Sequence, residues 1–416
     1  MNSIKIGIVG LGYVGLPLAL ELGKKFKVKA YDKNKTRIIS LKKKIDYNKE
    51  HKSNEFNNKN IEFSYRDNCL KDCNFYIVCV PTPINENNNP DLSLVKKACE
   101  LVGKHIKYND VIVFESTVYP GVTENICEKI LSKVSKIPIK KKFNKGFLLG
   151  YSPERVNPGD KVHKLKDIVK VIACSSNEGL KKMSYVYSKI IKAGLYKTKN
   201  IKIAETAKVL ENVQRDVNIA LMNEVSLICN KLDINIYDVI EAASTKWNFL
   251  KFYPGLVGGH CVGVDPYYLI QESKRLSVNP ELMVSARKIN NSMINKIRAR
   301  IEKKFKKKNA KILFMGVVFK ENCSDLRNSL YLKLAKKLDK NHKVQIYEPN
   351  LSNLKKINGM NNLKKINKIK YDIVIIALAH KEFKKIKIQK LKKITKKNSI
   401  VFDLKNIYKK KYFETF

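Results

Sequence analysis

The sequence has no run approaching the roughly 20 apolar residues that a membrane-spanning helix requires. Its start, Met1-Asn2-Ser3-Ile4-Lys5-Ile6, enters an apolar run at once and lacks the blocks of a signal peptide. No membrane partner is expected, and the cytoplasm is the expected location. No CxxC pair occurs: the nine cysteines are scattered, and Cys69 and Cys73 have no second pair or histidine cluster to complete a zinc site. No metal is expected, and most of the thiols read as small buried apolar groups. Arginine is scarce as well. Only nine of the 83 basic residues are Arg, although the formal charge is +45. Specific recognition of bases and phosphates favours the planar, bidentate guanidinium. The lysine excess, densest over 303–311, therefore reads as a solvated surface whose positive field draws anionic substrates, not as a specific nucleic-acid site.

What is present is the composition of a globular chain: 416 residues, 44% of them hydrophobic, enough for two or three domains. Short apolar runs at 4–10, 28–32, 75–81, 111–116 and 147–151 alternate with helical stretches, the pattern of a parallel α/β sheet. Residues 42–68, rich in Lys and Asn, read as a mostly exposed connection, and a strand at 168–173 as the end of the first domain. From 203 to 233 the period becomes helical. Leu210, Val213, Val217, Ala220, Leu221 and Glu224 fall on one broad face, and Glu205, Lys208, Asn212 and Arg215 form a polar stripe on the other. After 303–308 the α/β alternation returns, and Ile312-Leu313-Phe314-Met315-Gly316 echoes Ile6-Gly7-Ile8-Val9-Gly10. The expected fold is α/β: two Rossmann-like parallel-sheet domains, 1–200 and 303–416, joined by a long central helix in a helical region, 201–302.

Gly10-Leu11-Gly12-Tyr13-Val14-Gly15 follows a strand and opens a helix, the setting in which GxGxxG binds a dinucleotide. The helix N-terminus offers free N–H groups to the pyrophosphate. Asp32, about 20 residues on, ends the second strand, where a carboxylate accepts the ribose hydroxyls of NAD. Lys33 and Arg37 leave NADP as the alternative. A second constellation, Gly258-Gly259-His260-Cys261-Val262-Gly263-Val264-Asp265-Pro266, surrounds a cysteine with glycines that admit a substrate to the thiol. Asp265 is placed to act as a base or to hold a water. Taken alone, an inert buried thiol is the commoner reading of such a cysteine.

Seven motifs occur in order: Gly10–Gly15, Val80-Pro81-Thr82-Pro83, Glu115-Ser116-Thr117, Ser152-Pro153-Glu154-Arg155, Glu205-Thr206-Ala207-Lys208 through Asn212, Gly258–Asp265, and Phe319-Lys320 with Asp325-Leu326-Arg327. Together they resemble the UDP-glucose/UDP-N-acetylhexosamine/UDP-mannosaminuronate dehydrogenase family over essentially the whole chain. Thr245–Phe249 and Pro254–Cys261 are most similar to the bacterial branch acting on UDP-N-acetylglucosamine or UDP-N-acetylgalactosamine. The resemblance implies two successive hydride transfers to NAD, a homodimer through the central helix and a C-terminal domain for the UDP-sugar. It makes Cys261 the nucleophile, passing through a thiohemiacetal and a thioester. Lys208 and Asn212 would stabilise the oxyanion, Asp265 and Thr117 would hold a water, and Glu154 would assist hydrolysis. Cofactor contacts would come from Gly10, Leu11, Gly12, Tyr13, Val14, Gly15, Asp32, Arg37, Pro81, Thr82, Ser116, Thr117 and Arg327. Substrate contacts would come from Glu154, Arg155, Val156, Lys208, Asn212, Tyr253, Gly255, Gly258, Phe319 and Lys320.

Singly, Lys208 would pass for a solvated helix charge, Glu154 for a cap and Thr117 for a strand residue; their order in one chain argues otherwise. One departure stands out. Tyr253 sits where the amino-sugar branch often has the Arg that reaches a neighbouring subunit, and the nearest cations are Lys246 and Lys251. Within the family, UDP-glucose and UDP-N-acetylmannosamine are alternative substrates. A catalytically silent nucleotide-sugar-binding protein is the alternative of another class.

Overall fold

Strands buried on both faces alternate with helices, so each pass returns the chain to a mainly parallel sheet. The computed structural model describes residues 4–48, 50–140, 145–156, 164–306, 308–366, 369–410 and 413–416; Lys307, in the basic run, lies outside them. The chain packs as two units, Met1–Glu211 with Tyr267–Val278, and Asn212–Pro266 with Asn279–Phe416.

The first unit runs β1 (Lys5–Val9), α1 (Gly15–Gly23), β2 (Lys27–Tyr31), α2 (Lys35–Lys42), β3 (Ile61–Ser64), β4 (Phe75–Val78), α3 (Ser93–Gly103), β5 (Val111–Phe114), α4 (Glu128–Ser135), β6 (Leu148–Tyr151), β7 (Lys170–Cys174), α5 (Asn177–Ser188) and β8 (Leu195–Lys197). Its sheet has the order β3-β2-β1-β4-β5-β6-β7-β8. The first six strands follow the doubly-wound dinucleotide-binding order, whose crevice opens at the carboxyl ends of β1 and β4. Every pairing is parallel except β6 with β7.

Two expectations are corrected here. Residues 42–68 are not merely a connection: β3 pairs with β2, and Phe56 and Phe63 are buried in the core. The strand is short and flanked by Asn and Lys, which hid it. Nor does the 168–173 strand end the domain, because α5 and β8 follow and β8 extends the sheet.

A 31-residue helix, α6 (Ile201–Lys231), comes next. Its faces differ from the polar and apolar stripes read from the sequence. Glu205, Lys208 and Asn212 are buried, whereas Leu210 and Leu221 are 55% and 51% exposed. The buried polar side chains have partners inside. Farther along, Asp216 takes Arg287 at 2.6 Å, and Asn223 bonds Asn290 at 2.8 Å. Burial is affordable where hydrogen bonds are made. Periodicity locates a helix's stripes but cannot say which stripe finds partners.

The second unit continues with α7 (Ile236–Ala243), α8 (Asp265–Arg275, its first two residues here), α9 (Glu281–Lys304), β9 (Lys311–Met315), α10 (Leu330–Asp339), β10 (Lys343–Tyr347), β11 (Lys356–Ile357), β12 (Met360–Asn362), β13 (Tyr371–Ile376), α11 (Lys381–Lys384), α12 (Ile388–Ile394) and β14 (Thr395–Asp403). Its sheet order, β11-β12-β10-β9-β13-β14, repeats the doubly-wound plan, with β9 and β13 at the switch point. The echo between 6–10 and 312–316 is thus a structural one.

Candidate active site

In the first unit the GxGxxG turn lies at the carboxyl end of β1. Gly10 has φ +94°, and its N–H donates to the carbonyl of Tyr31 at 2.9 Å. A Cβ on Gly15 would meet the Gly10 carbonyl oxygen at 1.9 Å, so helix and turn touch only because both residues are glycine. A Cβ on Gly12 would meet nothing within 4 Å, and α1 has neither a side-chain cap nor an acidic residue in its first turn. A helix start left open in this way suits an anion. Leu11 is buried, while Tyr13 and Val14 are half-buried.

The half-buried Asp32 accepts the N–H of Leu11 at 2.8 Å and that of Asn34 at 2.8 Å. Its carboxylate is thereby fixed against the turn. Arg37 is buried, with one nitrogen 2.8 Å from Asp46 and another 3.2 Å from the Leu11 carbonyl. These contacts brace the turn from behind, and Lys33 is exposed beside it. The residues fit the pyrophosphate and ribose of a dinucleotide.

Beyond β4 and β5 the same edge carries the next motifs. Pro81 is exposed and Thr82 half-buried, and the Thr82 carbonyl accepts the hydroxyl of Tyr268 at 2.9 Å. Ser116 is buried and donates to the Val80 carbonyl at 2.7 Å; Thr117 beside it is half-buried. Glu154, Arg155 and Val156 follow β6, all half-buried. One oxygen of Glu154 accepts the N–H of Arg155 (2.7 Å) and of Val156 (2.5 Å). Arg155 reaches Glu211 at 2.8 Å.

Glu205, in the first turns of α6, is fully buried and accepts the N–H of Gly121 (2.5 Å) and Thr123 (2.9 Å). Burial pushes its carboxyl up to about 7. Lys208, one turn on, is only 9% exposed, and no carboxylate among the described residues pairs with it. A buried ammonium without a counter-ion has its charge available to an incoming oxygen anion.

In the second unit the cysteine loop runs into α8. Cys261 is exposed, and its carbonyl accepts the N–H of Asp265 at 2.8 Å, so thiol and carboxylate are one turn apart on a helix start. The buried Asp265 accepts the Asn212 amide at 2.5 Å, which makes Asn212 a holder of that carboxylate. The amide has a second N–H for another acceptor.

The loop is tied down on both sides. Asn223 accepts the Gly255 N–H at 2.9 Å and donates to the Gly255 carbonyl at 3.0 Å. Tyr253 stacks on Tyr237 with ring centroids 5.8 Å apart. Gly259 has φ +83°, and a Cβ there would meet the Phe319 ring at 2.6 Å; one on Gly258 would meet the Asn328 carbonyl at 2.5 Å. The Gly259 N–H donates to that carbonyl at 3.2 Å. His260 lies 3.5 Å from Asp325, which also takes the guanidinium of Arg327 at 2.6 Å. Burial works against the Asp325 carboxylate, but His260 and Arg327 hold it well below the usual range. Lys320 lies over the Phe319 ring, 5.6 Å from its centroid. The Cys261 loop and the 319–328 segment therefore form one surface.

Sequence reasoning missed Asn223 and Asn290, which brace the loop, and a buried group formed by Glu115, Lys170 and Tyr187. Lys170 carried a signal, a lysine inside the apolar run 168–173. Nothing in a sequence marks Asn223 as a loop clamp, since helices carry many solvated Asn.

Comparison with known proteins matches the chain to three models of one family, the UDP-glucose/GDP-mannose dehydrogenase family: its NAD binding domain over residues 4–191, central domain over 202–292 and UDP binding domain over 313–410. The chain is 42% identical to a UDP-N-acetyl-D-glucosamine 6-dehydrogenase of Salmonella typhi, covering 98% of this chain and 97% of that one. It is 32% identical to a UDP-N-acetyl-D-mannosamine dehydrogenase of Methanocaldococcus jannaschii, covering 99% and 94%. Among solved structures it resembles a UDP-D-ManNAc dehydrogenase from Pyrococcus horikoshii with a TM-score of 0.89 at 28% identity, covering 99% of each chain.

Proposed function

The chain belongs to the UDP-glucose/GDP-mannose dehydrogenase family, and from that premise we propose that it oxidises the C6 hydroxyl of a UDP-N-acetylhexosamine, UDP-GlcNAc or UDP-GalNAc, to the uronic acid. The observation that carries the reaction type is the exposed Cys261 at the start of α8, one turn from an Asp265 held by Asn212. The amino-sugar substrate is favoured by the 42% identity to a UDP-N-acetyl-D-glucosamine 6-dehydrogenase over nearly the full length of both chains. The mannosamine-type relative, at 32%, makes UDP-N-acetylmannosamine the second reading.

The Gly10–Gly15 turn would hold NAD, which when bound would supply the two-electron oxidant for each of the two oxidations. The overall change is R–CH2OH + 2 NAD⁺ + H2O → R–COO⁻ + 2 NADH + 3 H⁺. Asp32 selects NAD, because a 2′-phosphate would face its carboxylate. Cys261 adds to the C6 aldehyde, and oxidation of that adduct leaves a thioester, which keeps the aldehyde from escaping. Lys208 offers its charge to the oxygen that becomes anionic. Asp265, oriented by Asn212, takes protons through a water held with Thr117, and Glu154 removes a proton from the water that cleaves the thioester.

A homodimer goes with this reading. Ile203 and Leu210, and again Leu221 and Ile228, lie seven residues apart on α6, and all four are exposed. Such a stripe suits a second copy of the helix. Leu221→Glu with Ile228→Glu should lower the mass seen by light scattering; an unchanged mass would refute the interface. The substrate is tested by absorbance at 340 nm with UDP-GlcNAc, UDP-GalNAc, UDP-ManNAc and UDP-glucose. Two NADH per acetamido-sugar consumed is expected. A silent response to all four, with UDP still bound, would leave a nucleotide-sugar-binding protein.

A further inference from the structure

In the first unit a charged group is buried behind Glu154. Lys170, only 3% exposed, places its ammonium 2.7 Å from one oxygen of Glu115 and 3.7 Å from Oε2 of Glu154, and donates to the Pro153 carbonyl at 3.3 Å. The other oxygen of Glu115 accepts the Tyr187 hydroxyl at 2.5 Å, and the Tyr187 ring lies 5.4 Å from the ammonium. Glu115 and Tyr187 are fully enclosed. Glu115 and Glu154 thus share one cation that is itself shielded from solvent.

Topology explains how the lysine arrives there. Lys170 is the first residue of β7, and in a parallel strand it would sit at the amino end of the sheet. β7 runs antiparallel to β6, with Gly150 opposite Cys174 and Tyr151 opposite Ala173. That reversal brings Lys170 to the carboxyl edge, beside the residues that follow β5 and β6. A buried ion pair of this kind is a poor way to stabilise a sheet, since apolar side chains of equal volume do as well or better. Such groups collect where an ionisable side chain must be held in one state.

We propose that Lys170, anchored by Glu115 and Tyr187, is a positioning residue that aims the Glu154 carboxylate for thioester hydrolysis. A carboxylate has about four acceptor directions. At Glu154 two are taken by the Arg155 and Val156 N–H groups on Oε1, and Lys170 faces Oε2. One direction is left for a single water. In the step served, Glu154 takes a proton from that water as its oxygen bonds to the thioester carbon. The C–S bond then breaks, the sulfur of Cys261 leaves as thiolate, and the sugar leaves as its carboxylic acid, which gives its remaining proton to solvent. Burial lowers the lysine's proton affinity, but the carboxylates of Glu115 and Glu154 more than offset this, so Lys170 stays a cation throughout. The inference rests on the reading of Glu154 as the base of hydrolysis.

The test uses full-length enzyme with UDP-N-acetylglucosamine and NAD, and compares Glu154→Gln, the charge-neutral pair Glu115→Gln/Lys170→Met, and all three changes together. Stopped-flow NADH, steady-state kcat and the intact mass of the enzyme are read. The paired variant should keep the two-NADH burst within about threefold, lose at least tenfold in kcat and accumulate the acyl adduct on Cys261; adding Glu154→Gln should cost little more. A general weakening of the fold would slow the burst as well. Tyr187→Phe, which removes only the hydroxyl on Glu115, should show the same split at a few-fold. If Glu154→Gln slows hydrolysis but the paired variant keeps normal kcat without adduct, the inference falls alone. Losses that multiply in the triple variant also overturn it. If Glu154→Gln turns over normally, the reading of Glu154 falls and takes this inference with it.

Discussion

At the end of β1 and at the end of β9 the backbone turns in the same way. Gly10 and Gly316 have φ of +94° and +90°, and their N–H groups donate to the carbonyls of Tyr31 and Tyr347 in the neighbouring strand. The next strand's carboxylate then grips the turn. Asp32 accepts the N–H of Leu11 and Asn34, and Glu348 accepts that of Val317 and Asn350. From there the units diverge. After Gly10 the helix α1 starts at Gly15, which leaves an open, uncapped N-terminus. After Gly316 the helix α10 waits until Leu330, and the intervening segment carries Phe319, Lys320, Asp325 and Arg327 and holds the Cys261 loop. Asp32 stays half-open to solvent, whereas Glu348 is sealed, with His380 3.3 Å away. One turn geometry thus opens onto an uncapped helix start in the first unit and onto the segment that holds the Cys261 loop in the second.

The sharpest way to break this contrast is at Cys261. Cys261→Ser should keep the fold and UDP binding and lose steady turnover by several orders of magnitude, because a serine hydroxyl is far less acidic than a thiol. Near-normal turnover with two NADH per sugar would remove covalent chemistry from the second unit's turn. Exchanging the strand-end carboxylates for alanine sharpens it further. Glu348→Ala leaves buried N–H groups and His380 without their partner and should cost about 3 kcal/mol or more, seen in Tm, with NAD affinity unchanged. A Tm within a degree of the parent would mean that Glu348 is not the structural half of the pair.

A pH comparison contrasts two buried carboxylates that each accept backbone N–H groups. Burial opposes ionisation of both. At Glu348 the His380 contact outweighs it and holds the carboxyl low, while Glu205, which no cation among the described residues pairs, is pushed up to about 7. A raised folded-state value means that Glu205's contribution is fully present below its unfolded value near 4.3 and is lost as pH rises through 7. Relative to Glu205→Gln, the parent should lose roughly 3 kcal/mol between about pH 4 and pH 8. Chemical unfolding of both proteins across that range measures it, and a slope of opposite sign would show that the two N–H donors win. The smallest expected effect is at Asp32. Asp32→Ala should narrow the preference for NAD over NADP by roughly tenfold in kcat/KM, the order of magnitude for relieving one like-charge contact. Equal use of both cofactors by the parent would shift attention to Lys33.

The sequence by itself determined the α/β class, the glycine turn after the first strand and the cysteine among glycines before α8. In each of these the signal is local: glycines at fixed spacing dictate a backbone path, and a cysteine among glycines needs no distant residue to be noticed. Much of the echo between the two turns was equally legible, as two strands of like pattern ending in glycine. What only the tertiary structure decided depends on partners far apart in the chain. Asp216 and Asn223 of α6 are buried where they meet Arg287 and Asn290 some 70 residues later, while Leu210 and Leu221 of the same helix are exposed. Lys170 reaches Glu115 and Glu154 through one reversed strand pairing, which strand-like composition cannot reveal. Period and propensity report which residues share a face; the hydrogen-bonding and charge partners that make a polar face worth burying are set by packing.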